Sequence, residues 1–179
     1  MVIKAGKIRP SQAVMQFGPG ALVDLPTMSM IIAGTDFWNT GNSPMFGDRR
    51  LAEKMGVKHF RTPPYLHEKN ATGGMPAILF PEFLMCPIDS CRRLAEADRF
   101  KFEPTGSPRY MCDRAHKNLK RPPDVFPARF MVACQNGHLD DFPWREYVHP
   151  GTPCSADLRL DDSGLTGSIT DLWIRCETH

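Results

Sequence analysis

Two pairs of potential metal ligands stand close together in the middle of this sequence. Cys86 and Cys91 have four residues between them, and Cys112 and His116 have three. Each pair can converge across a short turn, so that two pairs supply the four ligands of a tetrahedral ion. Thiolate and imidazole groups favour Zn(II) over Mg²⁺ or Ca²⁺. The spacing predicts a zinc-ribbon-like site at these four residues, and simple burial of the cysteines is the alternative.

A second metal site is predicted further along the chain from weaker signals. Cys134 and His138 flank a Gln-Asn-Gly turn, and Cys154 and Cys176 fall at the ends of predicted strands. A turn of this kind brings a Cys-x3-His pair close to one point. We therefore predict Cys134, His138, Cys154 and Cys176 as ligands. The terminal His179, at Cys-x2-His spacing from Cys176, is an alternative to His138.

The same region is compatible with a different chemistry. His138 is followed by Asp140 and Asp141, and carboxylates beside a histidine can bind a hard cation and activate water. This interpretation predicts a metal-dependent nuclease or hydrolase that uses His138, Asp140 and Asp141. In the structural alternative, which we favour, the two aspartates cap the Pro143-Trp144 turn and accept hydrogen bonds from backbone N–H groups.

The charges of the sequence are segregated. Residues 92–129 hold ten Lys or Arg and five Asp or Glu, whereas residues 130–179 hold three and eight. A positive segment of this density can contact nucleic-acid phosphates, and two solvated faces of opposite charge are the alternative. The candidate nucleic-acid contacts are Arg92, Arg93, Arg109, Arg114, Lys117, Lys120 and Arg121.

The composition predicts a loop-rich globular fold. Of the 179 residues, 41% are hydrophobic and 23% are charged, and 17 prolines with 14 glycines predict many turns and few long elements. We expect an α+β fold with short strands and few short helices, stapled by one or two zinc-ribbon-like sites. Its predicted parts are an N-terminal α+β region at 1–85, a Cys/His zinc-ribbon-like basic insert at 86–127, and a central strand motif with a C-terminal hairpin at 128–179. Together they are expected to form one compact unit.

Local patterns place several elements. A helix is predicted over 49–55, because Asp48 is a good N-cap and a glycine follows the segment. Alternating apolar residues over 130–134 predict a short buried strand that ends in a thiol. The alternation over 158–161 and the apolar segment 172–176 predict the two strands of a hairpin.

The beginning of the sequence has no signal-peptide pattern. Its longest apolar stretch, residues 28–33, is too short to cross a bilayer. We therefore expect a soluble, cytoplasmic protein without membrane contact. Six cysteines in such a reducing compartment are not expected to form disulfides, which favours metal binding.

Several sequence blocks resemble one family. The blocks are Arg9-Pro10-Ser11-Gln12, residues 17–26, Asp36-Phe37-Trp38, Cys86-Pro87, Arg129-Phe130, Cys134 and residues 137–144. On these residues the chain resembles the DrmB family of bacterial DISARM anti-phage systems, and more broadly the zinc-binding modules attached to certain DNA helicases. The blocks follow the family order over nearly the whole chain. Members of the family are several times longer, so the chain corresponds to their N-terminal part.

The resemblance implies a non-catalytic accessory subunit. Such a subunit would bind a superfamily 2 helicase of the DrmA type, or another subunit of the defence system, and would reach DNA through that complex. A separate polypeptide could supply the rest of the family's sequence. The chain has no Walker motif of its own. An interaction module ordered by zinc is therefore the leading hypothesis, and the hydrolase described above is its rival.

Overall fold

The computed structural model of the protein describes residues 3–64, 73–117, 119–162 and 168–179. Within these ranges it contains few helices, all short, and many short strands, which confirms the predicted loop-rich α+β class. The α-helices are α1 (Pro10–Met15), α2 (Arg49–Met55) and α3 (Trp144–Val148). None of the helices in the described ranges has the length and apolar content needed to cross a membrane.

The chain separates into two compact units. The first comprises residues 1–25 and 30–78, and the second comprises residues 26–29 and 79–179. The division into 1–85, 86–127 and 128–179 stays a prediction. The first five strands are β1 (Leu22–Leu25), β2 (Met28–Ile32), β3 (Met45–Phe46), β4 (Phe60–Arg61) and β5 (Ala77–Leu79). They form a three-stranded sheet in the order β1-β2-β5 and a two-stranded sheet of β3 and β4.

Helix α2 begins and ends as the sequence predicts. The Asp48 side chain accepts a hydrogen bond from the Leu51 N–H at 3.0 Å, which satisfies one of the unpaired donors at the start of the helix. Gly56 follows the last turn with φ of +67°, a conformation that residues with a Cβ rarely adopt. Ala52 is the buried residue of this helix.

The second unit is built around a five-stranded antiparallel sheet. The remaining strands of the chain are β6 (Phe83–Met85), β7 (Arg93–Glu96), β8 (Lys101–Glu103), β9 (Arg109–Met111), β10 (Phe126–Pro127), β11 (Met131–Ala133), β12 (Leu139–Asp141), β13 (Leu158–Asp162) and β14 (Leu172–Cys176). The sheet has the order β10-β6-β7-β13-β14, and β8 with β9 and β11 with β12 form separate hairpins. The pairing of β13 with β14 confirms the predicted C-terminal hairpin.

The central strands β6 and β7 separate two groups of core side chains. Leu84 and Ala95, which face each other across the strand pair, pack in one group with three cysteines. Met85 and Leu94 form the next facing pair and pack in the other group with Trp144. Since successive side chains of a strand point to opposite faces, one strand pair supports both groups. Candidate ligands lie in each group.

The strand predicted over 130–134 is present, but its surroundings differ from the prediction. Strand β11 forms within the predicted segment 130–134, but Met131, Val132 and Ala133 are all exposed. The prediction of a buried strand was therefore wrong. The physical reason is that β11 pairs with β12 alone in an isolated hairpin, so the five-stranded sheet does not cover its faces.

Candidate metal centres

The first cluster of candidate ligands lies beside the β6–β7 turn. Cys86 directly follows β6, and its N–H donates a 2.9 Å hydrogen bond to the Arg93 carbonyl. Cys91 ends the turn, with its N–H donating to the Ile88 carbonyl at 2.8 Å. Cys112 directly follows β9. A hairpin turn and the end of a second hairpin therefore bring distant cysteines to one point.

The first cluster has the dimensions of a metal site. The ligand atoms of Cys86, Cys91, Cys112 and His116 all lie within 4.8 Å of one another. Sulfur atoms of Cys91 and Cys112 are 3.9 Å apart, and the Cys86 sulfur is 3.8 Å from the His116 Nε2. Zn–S bonds of about 2.3 Å in a tetrahedron place sulfurs about 3.8 Å apart, whereas a disulfide requires about 2.05 Å. The four residues therefore fit a shared ion.

Burial and hydrogen bonding set the charge of this cluster. Cys86 and Cys112 are fully buried, and the exposed fraction of Cys91 is 8%. A hydrogen bond from the Cys86 thiol lowers the pKa of Cys112 to about 5. The same hydrogen bond, together with burial, raises the pKa of Cys86. A pair that already shares one proton can release it when a metal ion takes its place.

A second cluster combines two cysteines with two histidines. The ligand atoms of His149, Cys154, Cys176 and His179 also lie within 4.8 Å of one another. The two sulfur atoms are 3.9 Å apart, and the Cys176 sulfur is 3.3 Å from the His179 Nδ1. The rings of His149 and His179 lie edge to face, with their centroids 5.1 Å apart. This donor set also fits a tetrahedral ion.

Two further features of the second cluster suit a metal ion. A hydrogen bond from the Thr178 hydroxyl lowers the pKa of Cys176 to about 5, which favours the thiolate that a metal requires. The Nε2 atom of His149 is buried and has no hydrogen-bond partner within the described residues. A buried nitrogen without a partner is unfavourable unless another group, such as a metal ion, satisfies it.

The second cluster differs from the predicted ligand set. Cys154 and Cys176 come together as predicted, but Cys134 and His138 are not part of the cluster. They lie at the exposed turn of the β11–β12 hairpin, where the Cys134 sulfur is 3.3 Å from the His138 Nδ1. The β11–β12 hairpin holds these two residues together at its own turn, since the N–H of Cys134 donates to the carbonyl of His138 at 3.0 Å.

Sequence reasoning missed His149 as a candidate ligand and considered His179 only as an alternative. The signal was present, because His149 precedes Cys154 by five positions and His179 follows Cys176 by three. Each of these pairs lies across a short irregular segment, as Cys86 and Cys91 do. Treating all Cys/His pairs at such spacings alike would have identified both histidines.

Each cluster is supported by an arginine that binds loop carbonyls. Arg159, on β13, donates to the carbonyls of Asp89, Ser90 and Cys91 at 2.8, 2.9 and 3.0 Å. Arg145, on α3, donates to the carbonyl of Cys154 at 3.1 Å and also to that of Ala156. Burial raises the pKa of Glu96, but hydrogen bonds from Arg145 and the backbone, together with the nearby arginine charges, leave this pKa below its ordinary value. Neither arginine was predicted as a functional residue.

The seven candidate nucleic-acid contacts fall into two groups. Four of them form intramolecular ion pairs: Arg92 with Asp89, Arg93 with Asp113 and Asp157, Arg109 with Asp124, and Arg114 with Asp157 and Glu177. The other three, Lys117, Lys120 and Arg121, are exposed and have no ion pair in the described parts of the chain. The guanidinium groups of the four arginines already bind carboxylates of this chain, whereas the other three basic side chains remain accessible to a phosphate.

The predicted hydrolase residues do not form a third cluster. Among the described residues, the only converging sets of three or more Cys, His, Asp or Glu side chains are the two clusters above. Asp141 accepts hydrogen bonds from the N–H groups of Glu82 and Phe83 at 2.7 and 3.2 Å, and burial raises its pKa. Asp140 accepts the N–H of Asp141 at 2.8 Å. Both carboxylates thus accept hydrogen bonds from backbone N–H groups, as the structural alternative expected, but the donors to Asp141 belong to Glu82 and Phe83 and lie outside the Phe142-Pro143-Trp144 turn.

Comparison with known proteins agrees with the family resemblance that the sequence blocks indicate. Residues 9–179 match the family described as Domain of unknown function (DUF8724). The chain is also 34% identical over 154 residues to a Bacillus paralicheniformis protein named DISARM protein DrmB. The match covers 83% of this chain and 25% of that relative, so the chain spans about a quarter of the relative's length. The resemblance to DrmB is thereby confirmed, and the chain belongs to the DUF8724 family.

Proposed function

We propose that this chain is a non-catalytic accessory module of a cytoplasmic anti-phage defence system. The observation that carries the proposal is the convergence of three buried cysteines and His116 in one cluster. Four protein ligands fill the coordination sphere of a tetrahedral ion and leave no position for water or substrate, as in structural zinc sites. Similarity to a protein named DISARM protein DrmB supports the defence role.

Zn(II) is the proposed ion. Three thiolates and one imidazole are soft or borderline ligands, which exclude Mg²⁺ and Ca²⁺ in practice and suit zinc. The role proposed for the ion is to order loops, because the three ligand cysteines are themselves part of a core group. Metal binding and folding of this region are then a single process.

The proposed partner is a superfamily 2 helicase of the DrmA type, and the module would support the hold of that helicase on DNA. The contact to DNA is assigned to the basic loop, defined as Lys117, Lys120 and Arg121. All three side chains are exposed, and the loop directly follows the ligand His116. Zinc at the first cluster would therefore fix the start of the loop that meets the phosphates.

The DNA contact can be tested on the complex of the full chain with its helicase. Replacing Lys117, Lys120 and Arg121 by alanine is expected to weaken binding to duplex DNA. The slope of log affinity against log salt should decrease in magnitude by about 0.9 for each phosphate that is no longer neutralised. Fluorescence anisotropy over a salt series measures both effects. An unchanged slope would remove the DNA assignment.

A matched control uses three other basic residues. Arg50, Lys54 and Lys58 are exposed and lie on or next to α2. Their triple alanine variant changes the net charge by the same amount and should leave the salt slope within error of the unsubstituted chain. An equal loss of DNA affinity in both variants would mean that the net positive charge, and not the basic loop, determines binding.

The accessory role is tested by copurification from the native host, with zinc measured on the same sample. We expect a helicase to copurify and at least one zinc per chain. Less than one zinc per chain would contradict the proposed ordering by metal. Divalent-dependent DNA cleavage that Asp140→Ala abolishes would instead support the hydrolase.

A further inference from the structure

The two Cys/His clusters belong to the same compact unit, and Arg114 connects them. Arg114 lies two residues after the ligand Cys112. Its guanidinium donates to Asp157 Oδ2 at 2.9 Å and to Glu177 Oε1 at 2.6 Å. Glu177 is next to the second-cluster ligand Cys176. A single side chain from the first cluster's loop therefore holds segments that carry ligands of the second.

A second arginine strengthens this connection. Arg93, on β7, donates from its Nε to Asp157 Oδ2 at 2.7 Å and from Nη1 to Asp113 Oδ1 at 2.9 Å. Its guanidinium also stacks over the Phe100 ring at 4.8 Å. The exposed fractions of the Arg93 and Asp157 side chains are 9% and 12%. Ion pairs shielded to this degree are screened less by salt than surface pairs, and losing one partner has a larger effect.

We propose that each cluster binds its own zinc ion and that the two ions bind cooperatively, with Arg114 as the coupling residue. This inference rests on the metal-ordered module proposed above. An ion at the first cluster fixes Cys112 and thereby the loop that carries Arg114. The fixed guanidinium then holds Asp157 and Glu177, so the second cluster is already partly ordered when its ion binds. A ligand that binds to a chain already ordered by another ligand loses less conformational entropy, which is positive cooperativity.

The second ion has a defined chemistry. Two thiolates and two imidazoles form a donor set for Zn(II) or for Co(II) as its probe. The first cluster has three thiolates and one imidazole, so the two sites differ in the number of sulfur ligands. Cobalt bound at each site therefore gives a different thiolate charge-transfer absorption. Loading of the two clusters can be followed separately on one sample.

The experiment titrates the full metal-free chain with Co(II) and then displaces Co(II) with Zn(II) against a competing chelator. Two ions per chain are expected, with both clusters filling over the same concentration range. In the double variant Cys112→Ser with His116→Ala, one ion should bind, and the affinity of the second cluster should fall about 5- to 150-fold, the usual range of coupling between sites. Equal affinity in both proteins would overturn the proposal.

A second variant keeps both donor sets intact. Arg114→Gln is expected to bind two ions, but the second cluster should have the same low affinity whether or not the first is functional. Arg109→Gln is the matched control, because Arg109 is a nearby arginine whose ion pair among the described residues, to Asp124, does not involve the second cluster. This control should retain cooperative loading. Cooperative loading that persists in Arg114→Gln would overturn the role of Arg114.

These outcomes are distinct from failure of the proposed function. Two ions that bind independently overturn the coupling and leave the accessory module standing. Less than one ion per chain overturns both. A DNA or helicase contact that fails while two ions bind cooperatively removes the proposed partners and leaves the coupling intact.

Discussion

At the scale of single residues, the arginines have different roles that charge counting does not distinguish. Arg159 donates to three carbonyls of the Cys86–Cys91 turn and to Asp161. By contrast, the Arg175 side chain is 67% exposed, and its ion pair in the described part of the chain is to Asp161 at 3.6 Å. The two arginines face each other across β13 and β14, yet within the described residues only Arg159 binds the turn of a Cys/His cluster.

Replacing Arg159 by methionine is expected to lower the free energy of unfolding by about 1–3 kcal/mol, because carbonyls of the ligand turn lose their donor. Arg175→Met is the matched control and should lower it by less than about 1 kcal/mol, as exposed ion pairs contribute little. Urea denaturation of the zinc-loaded chain measures both. Equal losses would show that Arg159 supports the turn no more than a surface arginine does.

The position of each cysteine in the fold determines whether its thiol is expected to bind the metal ion. Cys112→Ser should remove the first ion and lower the free energy of unfolding by more than about 4 kcal/mol, a size associated with loss of a structural metal. Cys134→Ser is the control, because Cys134 is exposed and lies outside both clusters. Mass spectrometry of the native protein gives the zinc count, and thermal unfolding gives the stability. Loss of an ion in Cys134→Ser would reassign the ligands.

At the scale of elements, α3 anchors the segment that leads to the second cluster. Trp144 begins this helix and packs against Phe130 and Phe142, with ring centroids 5.9 and 4.7 Å away. The helix ends just before His149, a candidate ligand in the second cluster. The Phe-Pro-Trp segment that the sequence marks as apolar thus fixes the start of a ligand-bearing loop.

Trp144→Ala should lower the free energy of unfolding by about 3–5 kcal/mol, since a buried aromatic side chain is removed and a cavity is left. The same substitution at Trp173 is the control, because this tryptophan is 68% exposed. Its effect should stay within about 0.5 kcal/mol. Chemical denaturation followed by circular dichroism compares the two. Similar effects at both positions would contradict the anchoring role of Trp144.

At the scale of the whole molecule, metal removal should act on one unit more than on the other. Ligands of both clusters lie in residues 79–179, and four of the cysteines belong to its core groups. We expect a strong chelator to remove hydrogen-exchange protection from strands β6, β7, β13 and β14. Amides of α2, in the first unit, should keep their protection. Exchange measured by mass spectrometry tests this, and unchanged protection of β7 would contradict it.

Stability should also depend on pH in a defined direction. The pKa values of Cys112 and Cys176 are lowered to about 5 in the folded chain, against about 8.5 for an ordinary thiol. Between these values the unfolded chain binds more protons than the folded chain, so the free energy of unfolding decreases as the pH falls. This contribution is complete above about pH 8.5 and lost below about 5. Urea denaturation of the metal-free chain at about pH 5 to 8.5 measures it, and a rise in stability toward the acid end of this range would contradict it.

Local signals in the sequence were sufficient where the structure depends on neighbouring residues. The start and end of α2 follow from Asp48 and Gly56, whose effects act within one turn of the helix. The hairpin of β13 and β14 follows from two apolar segments that lie close together in the sequence. The two pairs of the first cluster follow from short spacing, because the β6–β7 turn brings Cys86 close to Cys91 and Cys112 lies four residues before His116.

The sequence by itself determined the donor types, the loop-rich class and the likeness to DrmB, because each depends on residue identity and short spacing. Only the tertiary structure decided which donors share a site. Cys134 and His138 have the right types and spacing, but an isolated hairpin holds them at the surface. His149 reaches Cys176 because α3 and β14 pack in one unit, a contact between distant segments. Side-chain packing over such distances has no counterpart in local spacing, so it could not be predicted from the chain alone.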